Sequence, residues 1–240
     1  MIKGIYNSGA AMRAGTLRQD VTANNLANAS TVGFKRERFV LEQKVDSKNV
    51  GDSRNLLEAV KASSYVNFNS GPLESTESPL DFALQGPGFF TLADDEGTYY
   101  TRNGRFDRNS DGMLVDAQGR RLQGIGGDIT IPPGIVTLTD DGNISVDGTT
   151  IDKLRVVEFT DTGALVKKGD NLFTDPNSAA GEQQVLRTSV AQGFLEQSNV
   201  DAVREMIEMI TNSRTYEASS RLMSAQDQTL NHVVNDIGRV

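Results

Sequence analysis

The 240 residues carry 24 basic and 32 acidic side chains, a formal net charge of −8, which makes the chain a poor default binder of nucleic acid or anionic membrane. Cysteine and tryptophan are absent and His232 is the one histidine, which excludes a disulfide framework, thiolate catalysis and two-histidine zinc motifs, and leaves no well-placed Ser-His-Asp set. No run approaches the ~18 apolar residues of a membrane span, so an integral membrane protein is not expected. Lys3 is followed by a mixed polar stretch rather than the apolar core of a secretory signal.

Proline and glycine divide the chain. All six prolines lie between Pro72 and Pro176, and 12 of the 23 glycines lie between Gly86 and Gly148. Both residues break helices and mark turns, so the middle is expected to be turn-rich and the ends helical. Charge divides it in the same way. Residues 1–40 carry a net +4 and residues 199–240 a net −2.

In the first segment Ile5, Ala10, Ala14, Leu17 and Val21 recur at helical spacing. Gly4, Gly9 and Gly15 weaken that helix by about 1 kcal/mol each relative to alanine. The pattern then meets Asn24, Asn25 and Asn28 and stops near Gly33. The short basic run Lys35-Arg36-Glu37-Arg38 is interrupted by an acid, and reads as a solvated face or a subunit-contact patch. Residues 41–75 read as an extended connector.

Residues 76–195 read as a compact antiparallel β domain. Apolar runs such as Phe89 to Leu92, Met113 to Val115, Ile129 to Ile131, Ile144 to Val146 and Leu154 to Phe159 alternate with turn clusters rich in aspartate and glycine. Asp107, Asn109, Asp111 and Gly112 match the first half of a calcium loop. Its twelfth position is Gln118, which cannot supply the bidentate carboxylate, so the string is read as a hairpin turn. Gly124-Ile125-Gly126-Gly127 lacks the dinucleotide spacing and reads as a turn before Ile129. Asp94 with Asp95, and Asp140 with Asp141, read as solvated turn acids. No catalytic residue, metal or cofactor is expected.

The last segment reads as one long helix, capped by Asn199 or Asp201. Val203, Met206, Ile207 and Ile210 share a face, and the stripe resumes at Leu222, Ala225, Leu230, Val233, Val234 and Ile237. A turn-rich β domain offers too little surface to cover two long helices. The economical arrangement is therefore that the ends pair with each other and with other copies of the chain. The alternative is two cover helices folded back on the β domain.

The stretch Ala23 to Lys35, ANNLANASTVGFK, closely resembles the N-terminal signature of the bacterial flagellar rod and hook family. Gly193 to Met223, GFLEQSNVDAVREMIEMITNSRTYEASSRLM, resembles the matching C-terminal signature. LDFALQGPGFFTL and YYTRNGRFDRNSDGMLVDAQG resemble the family's β domain, so the likeness covers nearly the whole chain. The runs GDITIPPG and VVEFTDTGALVKKGDNLF resemble the proximal rod type, with the distal rod type next.

The resemblance implies an α+β fold: long terminal helices paired as a coiled-coil-like assembly domain (1–40 and 196–240), with an antiparallel β-rich outer domain (76–195) inserted between them. It implies a structural subunit that polymerises helically into a hollow drive shaft crossing the periplasmic space. Its partners would be other copies, neighbouring rod and hook subunits, and the flagellar export apparatus, which uses no cleaved signal peptide. The assembly residues carried over are Leu17, Val21, Asn24, Asn25, Leu26, Asn28, Gly33, Phe34, Val203, Met206, Ile207, Ile210, Tyr216 and Leu222. Asn24 to Phe34 would shape the turn out of the first helix. Val203 to Ile210 would pack against that helix and adjacent subunits. Two rival classes are a secreted β-domain hydrolase acting on polysaccharide and a monomeric glycan-binding module.

Overall fold

The computed structural model describes residues 2–43, 60–184 and 188–237. Much of the expected connector, residues 44–59, lies outside these. So do the side chains of Ile5, Val233, Val234 and Ile237. Helix α1 (Ile2–Ala27) comes first and helix α2 (Ala202–Ile237) last. The strands between them are β1 (Glu37–Gln43), β2 (Val60–Val66), β3 (Leu73–Ser75), β4 (Phe82–Gln85), β5 (Phe89–Ala93), β6 (Thr98–Thr101), β7 (Asp107–Arg108), β8 (Leu114–Val115), β9 (Arg121–Gly124) and β10 (Gly127–Asp128). They continue as β11 (Val136–Leu138), β12 (Asn143–Val146), β13 (Thr149–Lys153), β14 (Val156–Phe159), β15 (Val166–Gly169), β16 (Leu172–Thr174), β17 (Glu182–Gln184), β18 (Ser189–Gln192) and β19 (Phe194–Glu196). The helix–β–helix order expected from the proline and glycine distribution is the order observed.

The chain forms two compact units. A helical unit takes Met1–Ala27, Glu37–Val66 and Asp201–Val240, and a β unit takes Asn28–Arg36 and Asn67–Val200. In the helical unit β1 and β2 make a two-stranded antiparallel hairpin, with Glu37 opposite Val66. Asp201 caps α2, its carboxylate accepting from Val203 N at 3.0 Å and Arg204 N at 3.2 Å. An acceptor here satisfies donors that the first helical turn leaves unpaired.

The β unit is built on a ten-stranded sheet running β15-β16-β6-β5-β9-β8-β7. Strand β14 is added beside β5, β17 beside β14, and β10 beside β9. Smaller sheets are β11-β12-β13, β18-β4 and β19-β3. Phe82, Leu84, Phe90, Leu92, Phe106, Leu114, Leu122, Ile129, Ile131 and Ile144 form one buried cluster among them. The acidic turns hold themselves together. Asn109 Oδ1 accepts from Asp111 N and Met113 N, and Asp94 Oδ1 accepts from Glu96 N and Gly97 N. The glycine-rich 124–127 string is the turn between β9 and β10, with Asp152 accepting from Gly126 N. The bonds made by Asn109 and Asp94 are the local side-chain bonds of Asx turns, whereas Asp152 reaches Gly126 from 26 residues away.

Candidate functional site

In the helical unit the two helices run side by side. Asn25 Nδ2 donates to Glu205 Oε2 at 3.3 Å, and Asn212 Nδ2 donates to Thr22 Oγ1 at 3.4 Å. Further along, a methyl placed on Gly15 would sit 3.7 Å from Tyr216 Cδ2, and one on Gly9 would sit 3.5 Å from Met223 Cε. Ascending positions on α1 thus meet descending positions on α2, so the pair is antiparallel. The seam is polar where it is deepest. Thr22, Asn25, Glu205 and Asn212 are all buried, and among the described residues of this unit Val21 is the one buried apolar side chain.

Val203, Met206, Ile207 and Ile210 do not pack against α1. They are 64%, 46%, 60% and 56% exposed, and Tyr216 and Leu222 on the same helix are also exposed. The expectation of a stripe against the first helix is corrected here. Among the described residues of α2, Glu205 and Asn212 are the buried side chains. Hydrophobic periodicity finds the apolar stripe, but a polar seam built on specific hydrogen bonds carries no such signal.

On α1, Leu17 and Asn24 are exposed, Leu26 is half-buried and Val21 and Asn25 are buried. Asn25 does more than end a helix. Its Oδ1 accepts from Glu37 N at 2.8 Å and its Nδ2 donates to Glu37 O at 2.8 Å, fixing the first residue of β1 by both backbone groups. The turn after α1 uses Asn28, whose carbonyl accepts from Thr31 N and whose side chain accepts from Thr31 Oγ1. Gly33 follows at φ +69, a conformation that suits glycine. Phe34 is buried, and Lys167 Nζ lies 4.8 Å from its ring centroid.

A polar cluster in the β unit escaped the sequence reading. Lys35, read there as solvated or a contact patch, is 2% exposed. Its Nζ donates to Glu196 Oε1 at 2.6 Å and to Asn69 O at 2.9 Å. Arg102 NH1 donates to Glu196 Oε2 at 3.3 Å. Burial pushes both cations below their ordinary pKa, against the pull of the Glu196 carboxylate. Glu196 is 161 residues from Lys35, so no local pattern links them. Another ionisable cluster of the β unit has Tyr100 donating to Glu182, with Arg155 on the other carboxylate oxygen. Burial first, and Glu182 second, raise the Tyr100 phenol above its ordinary value.

A shallow groove of about 290 Å³ follows the helix seam past Gln19, Asp20, Asn212 and Tyr216. It brings together neither two carboxylates nor a nucleophile with a histidine, since His232 is exposed elsewhere on α2. Among the described residues no three His, Cys, Asp or Glu side chains cluster as a metal site would need, and no helix is long and apolar enough to cross a membrane. The helical unit presents an exposed apolar face of α2 and a polar, hydrogen-bonded seam against α1.

Residues 5–35 match the family described as flagella basal body rod protein. Residues 83–149 match the flagellar hook protein FlgE/F/G D1 domain, and residues 191–236 match the flagellar basal body rod FlgEFG protein C-terminal family. The chain is 35% identical over 232 residues to the flagellar basal-body rod protein FlgF of Caulobacter vibrioides, covering 94% of each. It is 30% identical to FlgG of Bacillus subtilis, covering 98% of this chain and 99% of the relative. To FlgG of C. vibrioides it is 31% identical, covering 95% and 97%. With family matches at both ends and in the middle, and relatives 30% to 35% identical over nearly the whole chain, the chain belongs to the flagellar basal-body rod protein family and is a structural subunit of that rod.

Proposed function

We propose that the subunit polymerises helically through its terminal helices, burying the apolar face of α2 against other copies and neighbouring rod or hook subunits. The observation that carries this reading is that Val203, Met206, Ile207, Ile210 and Leu222 stay exposed on one long helix. Burying each is worth ~1.5–3 kcal/mol, a driving force that a single chain leaves unused. Leu17, Asn24 and Tyr216 extend the same assembly surface. Val21, Asn25, Leu26, Asn28, Gly33 and Phe34 set the course of the chain into and out of α1.

Coiled-coil-like pairing of α1 with α2 is part of the proposal. Among the less exposed positions of α2, Glu205, Met209, Asn212, Ser219, Met223, Gln226 and Leu230 recur at heptad spacing. Ser8, Met12, Gly15, Gln19, Thr22 and Leu26 do so on α1. The helical unit then serves assembly, with the β1–β2 hairpin as part of it, and the β unit forms the outer domain. The subunit catalyses no reaction, and the flagellar export apparatus carries it out without a cleaved signal peptide. The proximal rod position is favoured by the runs at 127–134 and 156–173. The distal position is the second reading.

The test is Ile207→Asp in the full chain. The side chain is 60% exposed, so the monomer should keep its melting temperature, while incorporation into the rod and swimming should be lost because assembly would bury a charge. Normal motility with this variant would sink the interface assignment. Removing residues 201–240 should likewise leave a folded, cooperatively melting β unit that cannot build a rod.

A further inference from the structure

The chain enters or leaves the β unit at residues 28, 36, 67 and 200. Asn199 gathers three of these passages. Its Oδ1 accepts from Arg36 N at 2.7 Å, and its Nδ2 donates to Asn67 O at 2.9 Å and Asn69 O at 2.8 Å. Asn67 N in turn donates to Arg36 O at 2.8 Å. Deeper in the unit Glu196 gathers the same segments. Its Oε1 accepts from Lys35 Nζ at 2.6 Å and Gly71 N at 2.8 Å, its Oε2 accepts from Arg102 NH1 at 3.3 Å, and its backbone carbonyl accepts from Gly33 N at 2.7 Å. The backbones are pressed together here, because a Cβ on Gly71 would run into the Gln197 carbonyl.

Among the described residues strand β19, which carries Glu196, pairs with β3 alone in a two-stranded sheet, an arrangement with little strength of its own. Arg102 directly follows β6 of the ten-stranded sheet, and its guanidinium lies 5.0 Å from the Phe89 ring centroid of β5. Glu196 to Arg102 is thus a polar link from the weak two-stranded sheet to the strong one. Lys35 and Arg102 also share the Glu196 carboxylate, so losing it takes the hydrogen-bonded counter-charge from two buried cations at once.

We infer that Glu196, Lys35, Arg102 and Asn199 form a load-bearing clasp, which makes the strands that run to the terminal helices pull together on the ten-stranded sheet. Strands held only by ladder bonds peel one bond at a time. Strands bound at a common buried group share the load. These are positioning residues for a shaft that transmits torque, and the inference rests on the rod-subunit reading.

The experiment replaces the chromosomal copy with Glu196→Gln, with Asn199→Ala, or with the control Ile144→Val, a fully buried β-unit position away from the clasp. Melting temperatures of the purified full-length proteins are measured beside swimming and tethered-cell rotation in media of rising viscosity. Both clasp variants should build rods and swim at low load but stop at high viscosity. Ile144→Val should keep rotating at high load even where its melting temperature falls as far as that of Asn199→Ala. High-load rotation that follows melting temperature across all three, or clasp variants that rotate like wild type, would overturn the inference. So would a failure of both clasp variants to build any rod, which would assign the cluster to folding alone. Swimming that survives deletion of the whole gene would instead overturn the rod-subunit reading.

Discussion

The β unit hides Phe82, Phe90, Leu92, Leu122 and Ile144 from solvent entirely, while the helical unit buries Thr22, Asn25, Glu205 and Asn212 and turns Val203, Ile207 and Ile210 outward. One unit spends its apolar side chains on its own core. The other has hydrogen bonds at its deepest contacts and leaves most of its large apolar side chains exposed in the single chain. Hydrogen bonds contribute ~0.5–1.5 kcal/mol net each, while a buried leucine or isoleucine contributes more. A single subunit should therefore be robust in its β unit and marginal in its helices until it meets other copies.

The largest effect expected from this contrast is Leu122→Ala. It opens a cavity in the β core and should cost about 2–5 kcal/mol in chemical denaturation. A loss below that of an ordinary surface change would break the comparison. Asn25→Ala should cost less, ~1–3 kcal/mol, by removing the bonds to Glu37 and Glu205. The loss should appear in far-UV helix signal and amide exchange of the helices, leaving β-unit protection unchanged; a loss spread evenly over both units would show them to be one cooperative block. Gly15→Ala should be the smallest change and of opposite sign. The added methyl meets Tyr216 Cδ2 at ordinary contact distance, so the helix should gain up to about 1 kcal/mol. Lower helicity in this variant would show that the seam is closer than the contact distance implies.

Local chemistry made much of this legible in the residues. The confinement of proline to residues 72–176, and the crowding of glycine between Gly86 and Gly148, point to helix, β, helix, because proline does not sit in a helix interior and glycine weakens one. Asn109 and Asp94 bond their own following backbone, so their turns follow from a few adjacent residues. Asp201 caps α2 for the same local reason. The family signatures at both ends pointed to assembly. Two things lay beyond that reach. Helical spacing groups Val203, Met206, Ile207 and Ile210 on one face, but it does not say which face meets α1. That was decided by Asn25 with Glu205 and Thr22 with Asn212, pairs 180 and 190 residues apart. Likewise a lysine in a basic run is solvated by default, because burying its charge is costly. Lys35 is buried because the chain returns Glu196 to within 2.6 Å of it, a meeting that depends on the folded path of 161 residues.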